Sequence, residues 1–163
     1  MDKLEELFKL CEKENIKIEY VTFSSSVLGL YVKDIDTYPV ILLDKSLLSD
    51  RLKSMEVLSE EVGHFYTTTG NHAIRLLHYS NRLCLNSVEI KACRWACNFL
   101  IDDDDLVKCA LCSTDLYELS EMLDVPHVML LHKIKFLSLE KDFITSKCGH
   151  TLYIENGSRL YFK

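Results

Sequence analysis

Apolar residues recur along this chain at two periods, and the changes of period mark its elements. Leu4, Leu7, Phe8 and Cys11 fall at helical spacing and predict an amphipathic helix ending near Asn15. Residues 16–23 then alternate, with Ile16, Ile18 and Tyr20 apolar, which predicts a half-buried strand. Two more apolar strands are expected at 27–32 and 40–43, joined by a polar, turn-like stretch from Lys33 to Pro39. From about Ser49 to Thr68 the period is helical again, with Leu52, Met55, Leu58, Val62 and Phe65 along one side. The helix is expected to end in Thr67-Thr68-Thr69-Gly70-Asn71. Residues 70–86 read as a loop or short helix. Asn86 or Ser87 is expected to open the next helix, which runs through Ala92, Trp95, Ala96, Phe99 and Leu100.

The aspartate run Asp102 to Asp105 predicts the start of a short helix, because carboxylates are stabilised at helix N-termini. Two more helices are expected at 116–123 and 128–139. Asp115 and Glu118 sit at capping-box spacing before the first, and Asp124-Val125-Pro126 joins the two. The second of these helices is dominated by Val128, Met129, Leu130, Leu131, Ile134, Phe136 and Leu137. The pair resembles a helix-turn-helix in outline but offers few groups for reading base edges, so packing or docking of a partner helix is the better reading. Near the end, Asn156-Gly157 lies between alternating Leu152, Ile154 and Leu160, Phe162, a strong hairpin signal. The order predicts an α+β fold: a small three-stranded sheet on a helix pair, a C-terminal helical extension and a terminal β-hairpin. A chain of 163 residues is expected to form one domain, with a core at 1–105, the extension at 106–140 and the hairpin at 150–163.

Composition narrows the function classes. Apolar residues make up 48% and charged residues 27%, as in a soluble globular protein, and no apolar run approaches the ~18 residues of a membrane span. The acidic N-terminus, Met1-Asp2-Lys3-Leu4-Glu5-Glu6, has no following apolar core, so a secretory signal is not expected. A net charge of −6 argues against non-specific nucleic-acid binding. Seven cysteines, an odd number without an export signal, point to thiols in a reducing cytoplasm. Cys93 and Cys97, and again Cys109 and Cys112, lie one helical turn apart. Small core residues are the better reading than a four-thiolate zinc site, since no glycine turn separates either pair.

The stretch Leu58-Ser59-Glu60-Glu61-Val62-Gly63-His64-Phe65-Tyr66 carries the chemistry. It reads as the zinc-protease helix H-E-x-x-H with Glu60 where the first histidine stands. In that motif, two metal ligands four residues apart share one helix face, and the intervening glutamate is the general base. Glu60 and His64 take the ligand positions here and Glu61 the base position, ~100° away around the helix. Gly63 costs a helix about 1 kcal/mol and predicts a close neighbour. Ala92 and Ala96 form a small-residue stripe on the helix that would supply it. The bland readings are solvated carboxylates at Glu60 and Glu61, an ordinary half-buried His64, and a capping box from Asn86 to Glu89.

Two segments together resemble the ImmA/IrrE family of metallo-endopeptidases of bacterial prophages and mobile elements. Glu61-Val62-Gly63-His64-Phe65-Tyr66 is similar to the family's H-E-L-G-H-Y stretch, and Glu89-Ile90-Lys91-Ala92-Cys93-Arg94-Trp95-Ala96 to its E-x-x-A-x-x-F-A stretch. The resemblance covers residues 1–105, and the helices at 116–139 resemble an extension of phage-type members. It implies His64 and Glu89 as metal ligands and Glu61 as base, with Glu60 in the place of the first histidine. It also implies zinc as cofactor and a regulatory protein substrate such as a phage-type repressor; the carboxylate at Glu60 makes manganese an alternative metal. A proline frequent in the family after the second helix is absent here, and Asp102 stands near its place. Two glutamates and one histidine give the site a ligand charge of −2, which weakens selectivity for zinc and makes a bound water a poorer acid. Weaker metal retention or slower chemistry is therefore expected. The alternative is a weak or inactive repressor-binding module on the same fold. His72 or His78 is a less favoured substitute ligand.

Overall fold

A computed structural model describes residues 2–33, 37–68, 82–157 and 159–162, with the backbone alone for 82–86. The chain divides into two compact units, Met1–Ala96 and Cys97–Lys163. The class is α+β, with six helices and two three-stranded sheets among the described residues.

The first unit begins with α1 (Lys3–Lys13), which Asp2 caps by accepting the Leu4 N–H at 2.9 Å. The same carboxylate takes both Nε and Nη2 of Arg51, at 3.1 and 2.8 Å, and so ties the first residue of α2 (Arg51–Thr67) to the start of α1. The three expected strands form: β1 (Lys17–Val21), β2 (Gly29–Val32) and β3 (Val40–Asp44). Their order is β1-β3-β2. β1 runs parallel to β3, pairing Ile18 with Ile41, and β2 runs antiparallel to it, pairing Tyr31 with Ile41. β2 is therefore an edge strand, and it lies against α2.

Alternation in β3 turns Ile41 and Leu43 into the core, where Leu7 and Cys11 of α1 and Met55, Leu58 and Val62 of α2 are also buried. Leu52, expected on the same helix stripe, is 44% exposed. A short 3-10 turn (Lys45–Ser49) that the periodicity does not announce links β3 to α2. Asp44 caps it through the Ser46 N–H and also accepts the Phe23 N–H at 3.0 Å.

The helix expected to open at Asn86 or Ser87 already runs as α3 (Arg82–Leu100). Asn86 is thus inside the helix and cannot cap it, which removes the capping-box reading of Glu89. The remainder of the 70–86 stretch, with Gly70, His72 and His78, lies outside the described residues.

The second unit contains α4 (Asp103–Ala110), α5 (Leu116–Met122) and α6 (His127–Ser138). Asp102 caps α4 and Asp115 caps α5, each with its carboxylate on two backbone N–H groups. Glu118 turns back to the Thr114 N–H and hydroxyl instead of closing a capping box on Asp115. Pro126 stands at the N-cap of α6, which buries Met129, Leu130, Ile134 and Leu137 as the packing reading requires.

The terminal hairpin forms as β5 (Thr151–Glu155) and β6 (Arg159–Phe162), with Asn156 and Gly157 both in the left-handed region at φ 52° and 69°. An unanticipated strand, β4 (Phe143–Thr145), pairs with β5 and completes a second sheet. Three residues are too few to show a period. No helix among the described residues is long and apolar enough to cross a membrane.

Candidate metal centre

The site belongs to the first unit and is set by one contact between helices. A Cβ on Gly63 of α2 would run into the backbone carbonyl of Ala92 on α3. The two backbones therefore touch at these residues, as the glycine and the alanine stripe require. Gly63 lies between Glu60 and His64 in the chain, and Ala92 between Glu89 and Cys93, so the contact brings these side chains together. His64 Nε2 stands 3.2 Å from Glu89 Oε2. The Glu60 carboxyl accepts a hydrogen bond from the Cys93 thiol and lies in the fields of Glu89 and His64.

A second close approach holds Glu61. Gly29 of the edge strand packs on α2 so tightly that a Cβ there would come within 2.8 Å of Glu61 Oε1. The Tyr31 N–H on the outer side of β2 donates to the Glu61 carboxylate. Glu61 thus covers part of a strand edge that would otherwise offer unpaired N–H groups. The bland reading of solvated helix carboxylates fails for both glutamates, which are half-buried.

Burial sets the electrostatics. Desolvation lifts the Glu61 carboxyl to about 7, with Glu60 and Glu89 adding to it while His64 and the Tyr31 N–H oppose it. Glu60 is also raised, first by burial and then by Glu56, with the Cys93 hydrogen bond opposing. Burial pulls the His64 imidazole down, but the hydrogen bond and charge of Glu89, with the charges of Glu61 and Glu60, outweigh it and leave its pKa above the ordinary value. The other ring nitrogen, Nδ1, is buried and has no hydrogen-bond partner among the described residues.

The donor set suits a divalent cation. Two ligands of a tetrahedral zinc ion, each about 2.0–2.1 Å from the metal, stand about 3.3 Å apart, close to the His64–Glu89 separation of 3.2 Å. No three of the donor atoms of Glu60, Glu61, His64 and Glu89 lie within 4.8 Å of one another, so closing a shell on one ion requires Glu60 or Glu89 to rotate. Glu89 is free to do so on steric grounds, since its side chain is 62% exposed.

Beside the site, Tyr66 stacks on Trp95 with ring centres 4.9 Å apart, and Phe65 meets Tyr31 edge-on at 6.2 Å, so aromatic rings pin the C-terminal half of α2 to both α3 and β2. Sequence reasoning missed three participants: Gly29, the Tyr31 N–H and Cys93. Only Cys93 had a signal, its position one turn after Glu89.

Cys11 and Cys97 are buried, whereas Cys112 and Cys148 are exposed. Cys11 is buried with its thiol pushed up to about 12 by desolvation, and Cys97 gives its S–H to the Met129 carbonyl. No disulfide joins the described cysteines.

No family model matches the chain, and comparisons with curated proteins and with solved structures gave no significant match.

Proposed function

We propose that Glu60, His64 and Glu89 form a divalent-metal site, with Glu61 as general base, in a metal-dependent endopeptidase-like protein of prophage or mobile-element type. The observation that carries this reading is the Gly63–Ala92 contact, which sets His64 and Glu89 at ligand spacing across two helices. Bound zinc or manganese would supply Lewis-acid chemistry, polarising a peptide carbonyl and acidifying a water. Glu61, buried beside the ligands, would accept a proton and return it to a leaving amine, and a cation at the site would favour its carboxylate form. The Tyr31 N–H orients that carboxylate. The resemblance to ImmA/IrrE proteins supports a phage-type transcriptional repressor as substrate. Thiols without disulfides among the described residues fit a cytoplasmic location.

Metal analysis tests the site. The wild-type chain supplied with zinc should hold one divalent ion, and His64→Ala should lose it; equal metal content in both would end the proposal. Glu61→Gln should keep metal and fold but lose repressor cleavage by at least about 100-fold, the lower end for a positioned base. Undiminished cleavage would move the base elsewhere. Glu60→His replaces a carboxylate by a neutral imidazole, so zinc should gain on manganese in competition; unchanged selectivity would place Glu60 outside the shell.

A second reading has its own support. Because the donor atoms do not yet converge, the fold is also suited to a repressor-binding module without turnover. That reading expects partner affinity insensitive to chelator and no cleavage by any variant.

A further inference from the structure

A second cluster of metal-binding side chains lies along α3 and α6. α3 runs without a break from Arg82 to Leu100 and carries Cys93 and Cys97 one turn apart, so the helix itself sets both thiols on one face. Two polar contacts hold α6 on the C-terminal turn of α3. The Cys97 thiol donates to the Met129 carbonyl at 3.5 Å, and Lys133 Nζ donates to Asn98 Oδ1 at 2.9 Å. His132 stands between Met129 and Lys133 in the chain. The sulfur atoms of Cys93 and Cys97 and a ring nitrogen of His132 all lie within 4.8 Å of one another. Three ligands spaced evenly around one ion, at the bond lengths of nitrogen and sulfur donors, stand about 3.5–4.0 Å apart. Small side-chain rotations therefore close this set on a single position. Cys97 is buried, and Cys93 and His132 are half-buried.

We propose that Cys93, Cys97 and His132 form a three-coordinate site for a soft metal ion, Cu(I), that uses none of the donors of the Glu60–His64–Glu89 centre. Two thiolates and an imidazole favour Cu(I) or zinc over manganese and magnesium, which prefer oxygen. The number of donors decides between the first two. Cu(I) is satisfied by three ligands, whereas zinc takes four, and no fourth His, Cys, Asp or Glu atom joins the group among the described residues. Binding displaces both thiol protons to solvent, so it strengthens as pH rises. The bound ion ties α6 to α3.

The test is titration of the full, zinc-supplied chain with Cu(I) against a competing Cu(I) chelator, under reducing, anaerobic conditions. Wild type should take up one Cu(I), keep its zinc and melt at a higher temperature, because the ion binds only the folded chain. Cys97→Ala should weaken Cu(I) binding by more than about 100-fold, beyond the range for losing a group that merely supports a metal site. His132→Gln, at a half-buried position where the fold is less exposed to damage, should weaken it by at least about tenfold. Cys112→Ser with Cys148→Ser, at exposed thiols, should bind as wild type does. No Cu(I) uptake by wild type, affinity unchanged in both Cys97→Ala and His132→Gln, or affinity lost with the exposed thiols would overturn the site. Zinc released as Cu(I) enters would show that copper had taken the Glu60–His64–Glu89 centre, and would overturn it too. Cu(I) held by a chain that never binds zinc supports this site while the metal-centre reading above fails. Copper X-ray absorption on the wild-type chain needs no variant: two sulfur neighbours and one nitrogen are expected, and any other sulfur count rejects the assignment.

Discussion

Asp103→Asn should lower the unfolding free energy by about 3 kcal/mol, whereas Lys133→Met, at the other end of the same ion pair, should change it by less than about 1 kcal/mol. The asymmetry follows from what each substitution leaves behind. The Lys133 side chain is only 4% exposed, and its ammonium is held by Asp103 Oδ1 at 2.7 Å and Asn98 Oδ1 at 2.9 Å. Removing the Asp103 charge strands that ammonium in the interior with a neutral acceptor. Loss of one partner of a buried pair costs about 3–5 kcal/mol; the lower end applies because Asp103 is itself 38% exposed and water screens the pair. Lys133→Met keeps the aliphatic stem and removes the charge, and Asp103 retains Lys141 at 3.1 Å.

Urea unfolding of the full chain compares the two. A Lys133→Met loss as large as that of Asp103→Asn would show that the lysine is held for its charge and not merely tolerated. The pair also sets a pH dependence. Burial works against the Asp103 carboxylate, but Lys133 and Lys141 outweigh it and hold its pKa below the ordinary 3.8. Its contribution is therefore present above that value and is lost as pH falls through the lower folded value. The stability gap between wild type and Asp103→Asn should close in that acid range and stay constant above it.

Gly63→Val should cost about 3 kcal/mol and weaken metal binding together with stability. At an open helix position, glycine is about 1 kcal/mol worse than alanine, so adding a side chain there normally stabilises. Here the first added carbon meets the Ala92 carbonyl, a helix backbone atom that no rotamer change can move. Overpacking of a tight core costs about 1–3 kcal/mol, and the branched side chain adds atoms to the same collision. The helices must separate, and that separation parts His64 from Glu89. Gly63→Ala should be milder, since its propensity gain offsets part of the clash. Thermal melting and zinc affinity measured on both variants check this; a Gly63→Val protein as stable as wild type would mean that α2 and α3 are not held at this contact.

Much of the fold was legible because it rests on short-range patterns. Alternation placed β1, β5 and β6, and continuous apolar runs placed β2 and β3. Helical period placed α1, α2, α5 and α6, and the capping aspartates at 102 and 115 marked the starts of α4 and α5. Gly63 announced a close neighbour, and Ala92 supplies it, because a glycine inside a helix has no other local justification. The start of α3 and the strand β4 escaped, the first because Asn86 and Ser87, residue types that favour an N-cap, lie inside the helix, the second because three residues cannot display a period.

The candidate site divides the same way. Spacing on one helix put Glu60 and His64 on one face and Glu61 off it, since 3.6 residues per turn is a local fact. That Glu89 meets His64 was implied only by resemblance, because nothing within α2 or α3 fixes how the two helices face each other. Tertiary packing alone brought the edge strand onto Glu61, through Gly29 and the Tyr31 N–H, and the Cys93 thiol onto Glu60. It also decided the electrostatics. A glutamate in a sequence is an ordinary acid, and what lifts Glu61 to about 7 is the removal of water by β2 and the nearby carboxylates. Which residue types lie one turn apart is written in the chain; which of them lose their solvent, and to what neighbour, depends on contacts between segments far apart in it.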